Sequence, residues 1–199
     1  MSDVRFPFPN KAGAIHTLKR DYVFKKIPPE EIDGIIDRAW ETGRAAAERF
    51  LKSKDGINCF DFVQVFRDEG IEIIEKEEDF VSGKLRYFSD FLPKRKLLTI
   101  YSHSVTFWAE ANGLDYEDAR NCILMHEFFH YLEYYHLGFV SRQYQVPMIR
   151  IGNFTLGKTG ISALSEIAAD AFAGHMFETM KLNLTSIPLP FPQDTGECL

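Results

Sequence analysis

An α+β fold is the expectation for this 199-residue chain, and three features of the sequence carry it. Two long stretches repeat apolar residues at the 3.6-residue period of a helix, one after Pro28-Pro29 and one around residue 126. Between them lie three short runs rich in Ile, Leu and Tyr, separated by turn residues, and these read as strands. An alanine-rich stretch near the C-terminus reads as a closing helix. The expected architecture is N-terminal helices, a small three-stranded sheet, a central helix and a C-terminal helix that bears a glutamate.

Each element has a local reason. Pro28-Pro29 precede Glu30, Glu31 and Asp33, acids that suit the positive end of a helix dipole. Ile32, Ile35, Ile36, Ala39 and Trp40 follow on one face, then Ala46, Ala47, Phe50 and Leu51. A shorter helix is expected over Phe60 to Asp68, stopped by Gly70. Ile71, Ile73 and Ile74 begin a β-type run, and Ser82-Gly83 marks a turn. Leu85, Tyr87 and Phe88 make a second strand, and Leu97, Leu98, Ile100 and Tyr101 a third, together a small meander. Residues 104–112 form a short helix ending at Asn112-Gly113. Asp115 caps the next helix, with Glu117 and Asp118 in its first turn and Gly138 stopping it after Leu137. Residues 139–160 are expected to be irregular or partly extended, and the last helix to run from Ser162 to Lys181. Residues 1–27 form an N-terminal arm and 183–199 a Pro-rich tail of one domain spanning 1–199.

The formal net charge is −6, and a nucleic-acid binder usually shows a basic face, so no nucleic-acid partner is expected. Lys94, Arg95 and Lys96 read as a solvated turn before a strand. No stretch reaches 18 apolar residues and the N-terminus has no apolar signal core, so neither a membrane span nor secretion is expected. Cys59, Cys122 and Cys198 are odd in number and widely spaced, which suits reduced thiols in a cytoplasmic setting. The segment Gly157-Lys158-Thr159-Gly160 is not a phosphate loop, because the upstream glycine of that pattern is missing.

His126-Glu127-Phe128-Phe129-His130 is an H-E-x-x-H sequence inside a predicted helix. Residues four apart lie one turn apart on one face, so the two imidazoles can grip a single Zn2+. Glu127 is rotated off that face, where it can reach a water at the metal without ligating it and serve as the catalytic base. The apolar neighbours Ile123, Leu124, Phe128, Phe129 and Leu132 suit a buried helix. The plain alternative is two core histidines beside a surface glutamate.

A catalytic zinc needs a third protein ligand and an open position. His136 has the metzincin spacing, but on a continuous helix it lies about 9 Å beyond His130 and points about 120° away. His175 lies about 180° from Glu166 on the last helix, which takes it away from the site. Glu133 is on the histidine face but a turn too far; it is either an outer partner of His130 or a solvated side chain. Glu166 and Asp170 are four apart, on one face of a helix whose alanines allow close packing. Buried acids in such a helix are costly unless paired or metal-bound. Glu166 is therefore the expected third ligand. Asp170 is expected to accept a hydrogen bond from a ligand histidine and fix its tautomer.

These two helices resemble those of gluzincins and, more narrowly, of the ImmA/IrrE family of metallopeptidases. The likeness lies in His126 to His130 and in Glu166-x-x-Ala169-Asp170-x-Phe172-Ala173, although Asp170 stands where that family often has Asn. The resemblance covers roughly residues 55–180 and implies a zincin-like fold. It implies His126, His130 and Glu166 as zinc ligands, Glu127 as the catalytic glutamate, and a transcriptional repressor as the protein substrate. The expectation is thus a zinc peptidase that cuts a peptide bond in a specific intracellular regulatory protein. Two other readings remain: a metal-dependent endoribonuclease using His126, His130 and His136, and a non-catalytic zinc-stabilised module that binds a repressor. Tyr131, Tyr134, Tyr135, Tyr144 and His175 are the candidates for stabilising an oxyanion.

Overall fold

A computed structural model describes residues 7–54, 61–83, 85–152 and 154–186, without the side chains of 150, 151 and 181–186. The fold is mixed α and β. The arm of residues 7–27 is built of short helical turns around α1 (Ala14–Lys19), which buries Leu18, and Val23 is buried with it. Helix α2 (Ile32–Ser53) buries Ile35, Ile36, Ala39, Gly43, Ala46 and Ala47, the stripe that the periodicity predicts. Asp61 caps α3 (Phe62–Asp68) by accepting from the Val63 N–H at 2.9 Å. The predicted start at Phe60 lies outside the described residues.

The strands are β1 (Glu72–Lys76), β2 (Phe80–Ser82), β3 (Leu85–Tyr87), β4 (Ser89–Leu92) and β5 (Leu97–Tyr101). A three-stranded sheet exists, but its order is β1-β5-β4, with β1 parallel to β5 and β4 antiparallel to it. This corrects two expectations: the sheet is not a meander, and its third member is Ser89–Leu92 rather than the run Leu85–Phe88. Strand β3 pairs instead with β2 in a separate ribbon, turned by Ser82-Gly83. The ribbon is held on one side by Phe80, whose N–H donates to Ser104 Oγ at 3.0 Å and whose ring lies 4.8 Å from that of Tyr101. The short strands β2 and β4 were not expected from the sequence, and alternation of side chains identifies a strand but not its partner. Strand β5 is the central one, with Leu98 and Ile100 fully buried.

Helix α4 (Ser102–Asn112) ends at Gly113, and Asp115 caps α5 (Tyr116–Leu132) through the Asp118 N–H at 2.8 Å. The α-helix does not continue to Leu137 as expected. It passes after Leu132 into a π-helical turn over Glu133–Leu137, closed by a bond from Gly138 N–H to Glu133 O at 3.0 Å. Gly138 stops it at φ 77°, a backbone geometry that glycine adopts without strain. Residues 139–160 hold more order than expected. A turn at Val140–Arg142 leads into an antiparallel hairpin of β6 (Gln145–Ile151) and β7 (Phe154–Gly160). Helix α6 (Ala163–Ser186) runs beyond the predicted end at Lys181. Of the predicted tail, residues 187–199 lie outside the described residues.

Helices α2, α5 and α6 surround the core, to which Phe62, Phe66, Phe128, Phe129 and Phe172 contribute fully buried rings. Close approach of α2 to α6 depends on small residues: a Cβ added to Gly43 would sit 1.9 Å from the Ala168 carbonyl oxygen. Cys122 is a free, buried thiol whose pKa burial pushes up to about 12, while Cys59 and Cys198 lie outside the described residues. Among the described residues, no helix is long and apolar enough to cross a membrane.

Candidate metal centre

Helix α5 presents His126, Glu127 and His130, and α6 presents Glu166 and Asp170. The two helices pack with the fully buried Phe129 and Phe172 rings 6.0 Å apart. Glu166 and Asp170, four residues apart on α6, face His126 from the same side of that helix. The α6 N-terminus is anchored from the arm, where Asp21 Oδ2 accepts from the Ala163 N–H at 2.9 Å.

Three groups converge. His126 Nε2 lies 3.3 Å from His130 Nε2 and 3.3 Å from Glu166 Oε2, and His130 Nε2 lies 3.6 Å from Glu166 Oε1. One ligand atom from each falls within 4.8 Å of the others, the spacing of a group that could hold a metal ion. Two atoms each about 2.0–2.1 Å from one zinc ion, at the tetrahedral angle, stand roughly 3.3–3.4 Å apart. The donor set therefore fits zinc in both chemistry and spacing.

The opposite ring nitrogens explain why the Nε2 atoms face inward. His130 Nδ1 lies 3.0 Å from Glu133 Oε2. His126 Nδ1 lies 3.2 Å from Asp170 Oδ1, close enough for an ion pair but not well aligned as a hydrogen bond. Each carboxylate favours a proton on Nδ1, which leaves the Nε2 lone pairs pointed at one another. Such an arrangement is unfavourable unless a cation or a proton sits between them.

Glu133, left open by the sequence, is 2% exposed and therefore no solvated side chain. Besides His130, its carboxylate accepts from the Val140 N–H at 2.8 Å and from Ser165 Oγ at 2.7 Å. It thus ties the end of α5 to the following turn and to α6 beside Glu166. The acid three residues after His130 was a visible signal; its buried partners were not. Glu127 stays out of the ligand group, and its Oε1 accepts a hydrogen bond from Ser89 Oγ at 2.6 Å. Nothing in the sequence marked Ser89 or Ser165, which are lone serines.

The electrostatics are those of a coupled cluster. Burial opposes charge on His126, but the Asp170 and Glu166 carboxylates outweigh it and raise the pKa well above the ordinary value. His130 is raised in the same way, burial being outweighed by Glu133. Burial pushes Glu166 up, yet His126 and His130 hold it down at about 2. Its side chain is 52% exposed to the cleft, so solvent tempers that shift. Asp170 is raised because burial dominates the stabilising contact with His126.

His126, Glu127, Glu166 and Asp170 share a cleft of about 750 Å³, walled on its apolar side by Leu85, Tyr87, Phe88 and Ile123. His136 is not part of the cluster; it is exposed, with Nε2 3.4 Å from the Tyr131 hydroxyl. His175 lines a separate cavity of about 290 Å³ with Trp40 and Arg44. Neither His175 nor Tyr131, Tyr134, Tyr135 or Tyr144 lines the cleft. Tyr131 instead donates to Glu69 at 2.5 Å, and Tyr135 to the Pro93 carbonyl at 2.6 Å. No known protein family, curated protein or solved structure matches the chain.

Proposed function

We propose that the chain is a zinc peptidase with a zincin-like, gluzincin-type site: His126, His130 and Glu166 as metal ligands and Glu127 as the general base. The observation that carries this reading is the convergence of two Nε2 atoms and one carboxylate at zinc spacing, with Glu127 opening into the same cleft. Bound zinc supplies a Lewis acid for the scissile carbonyl and lowers the pKa of water to about 7. Glu127 takes the proton from the attacking water and passes it to the leaving amine. Asp170 and Glu133 hold the two imidazoles in the tautomer that offers Nε2. The apolar wall at Leu85, Tyr87 and Ile123 seats substrate side chains.

The substrate proposed is a peptide bond in a specific intracellular regulatory protein such as a transcriptional repressor, on the resemblance to the ImmA/IrrE family. A cytoplasmic setting goes with it and with the free Cys122. The endoribonuclease reading needs His136 at the metal, whereas His136 lies beside Tyr131. The non-catalytic module has no use for Glu127 in the cleft.

Zinc content of purified wild type, Glu166→Ala and His136→Ala is the decisive test. About one zinc per wild-type chain, loss in Glu166→Ala and retention in His136→Ala are expected. Loss in His136→Ala would sink the ligand assignment. Hydrolysis by wild type and its absence in Glu127→Gln, with zinc retained, separates a peptidase from a binding module.

A further inference from the structure

Ser89 opens β4 at the point where the ribbon gives way to the main sheet. The Phe88 carbonyl accepts from the Tyr101 N–H at 2.9 Å, and Ser89 itself pairs with Ile100, so the backbone on both sides is fixed by the central strand. From there its hydroxyl donates to Glu127 Oε1 across the strand–helix contact, at 2.6 Å. That is the length of a hydroxyl bond to a charged oxygen. Both residues line the cleft that His126 and Glu166 also line.

We infer that Ser89 is a positioning residue for Glu127, holding one carboxylate oxygen so that the other faces the cleft. A glutamate has three rotatable side-chain bonds, and an unanchored one spends much of its time away from a productive geometry. General-base efficiency depends on that geometry first. The contact places the base from the sheet, while the metal ligands are placed from α5 and α6. The kinetic consequence rests on the peptidase reading; the contact does not.

The test compares Ser89→Ala and Ser89→Thr with wild type, using oxidised insulin B chain as the probe peptide. Ser89→Ala is expected to lower kcat about 10- to 100-fold, the scale of a small misplacement of a catalytic group, with KM within about twofold. Ser89→Thr keeps the hydroxyl and restores most of kcat, and zinc content is unchanged in both. The second readout is independent of activity: the Glu127 side-chain 13Cδ resonance, assigned by its loss in Glu127→Gln. It should move in Ser89→Ala and stay near the wild-type position in Ser89→Thr. An unmoved resonance in Ser89→Ala overturns the inference whatever the kinetics. So does a moved resonance with kcat preserved. Should wild type leave the probe peptide intact, the narrow specificity proposed above accounts for it, the zinc and Glu127→Gln tests decide the peptidase reading, and the resonance alone decides on Ser89.

Discussion

The β6–β7 hairpin lies in the chain between α5 and α6, and it is held quite differently from the contact those two helices make. At the contact of the two helices Phe129, Ala169 and Phe172 are completely buried, and the Glu133 carboxylate there meets His130, Val140 and Ser165. On the hairpin Met148, Ile149, Phe154 and Leu156 are each more than half exposed. Ile149 faces Leu156 across the ladder, so these two share one apolar, open surface. The hairpin is fastened near its base by Tyr22 to Thr159 at 2.9 Å and along β6 by Lys26 Nζ to the Met148 carbonyl at 2.6 Å. The converging groups sit on the helices, where close packing and buried hydrogen bonds hold His130 and Glu133 in place. At its base the hairpin is packed into the core by Val146, but its outer part beyond Met148 has mainly its own ladder, which places that part at the low end of local stability.

The largest effect is expected where α2 presses on α6. Gly43→Val gains a few tenths of a kcal/mol in helix propensity. It also drives a Cβ to 1.9 Å from the Ala168 carbonyl oxygen, a backbone atom that cannot turn aside. Overpacking of this kind costs about 3 kcal/mol or more. Urea denaturation should show the loss, and an unchanged midpoint would mean that α2 and α6 are not in such close contact.

Glu133→Ala comes next. It leaves the buried Val140 N–H and Ser165 hydroxyl without their acceptor and releases His130 Nδ1. Roughly 2 kcal/mol of stability should go, on the cost of stranding buried donors. Zinc affinity should fall about 10- to 100-fold, as for other outer partners of ligand histidines. A competition titration with a zinc chelator measures the second number, and wild-type affinity there would reduce Glu133 to a fold residue.

The smallest effect belongs to the hairpin. Phe154→Thr with Leu156→Thr keeps β propensity and removes exposed apolar surface, so stability should change by no more than about 0.5 kcal/mol. Zinc content should match wild type. A loss of zinc in this double variant would break the comparison, because it would couple the hairpin to the metal cluster.

Much of the candidate site was legible because it depends on local geometry. His126 with His130, and Glu166 with Asp170, are pairs four residues apart on helices, and such pairs share a face in any context. Helix-rotation arithmetic alone predicted that His136 lies off the ligand face, and the altered π turn still leaves it beside Tyr131. Glu133 was only half legible: its position on the histidine face followed from periodicity, its burial did not. Ser89 and Ser165 were illegible, since each acts through a partner 38 or 32 residues away. The strand errors have the same origin. Leu85, Tyr87 and Phe88 look like a sheet strand, but pairing β3 with β2 and β1 with β5 is decided by contacts far apart in the chain.

By itself the sequence determined the existence of α2 to α6, the stops at Gly70, Gly113 and Gly138, and the residues that share each helical face, because these follow from backbone period and capping; α1, the π turn after Leu132 and the far end of α6 it did not. Tertiary structure alone decided which strands pair, how closely α2 lies against α6, and which oxygen meets which nitrogen around His126 and His130. Those outcomes depend on packing between segments far apart in the chain, and no local pattern encodes a distance across a core.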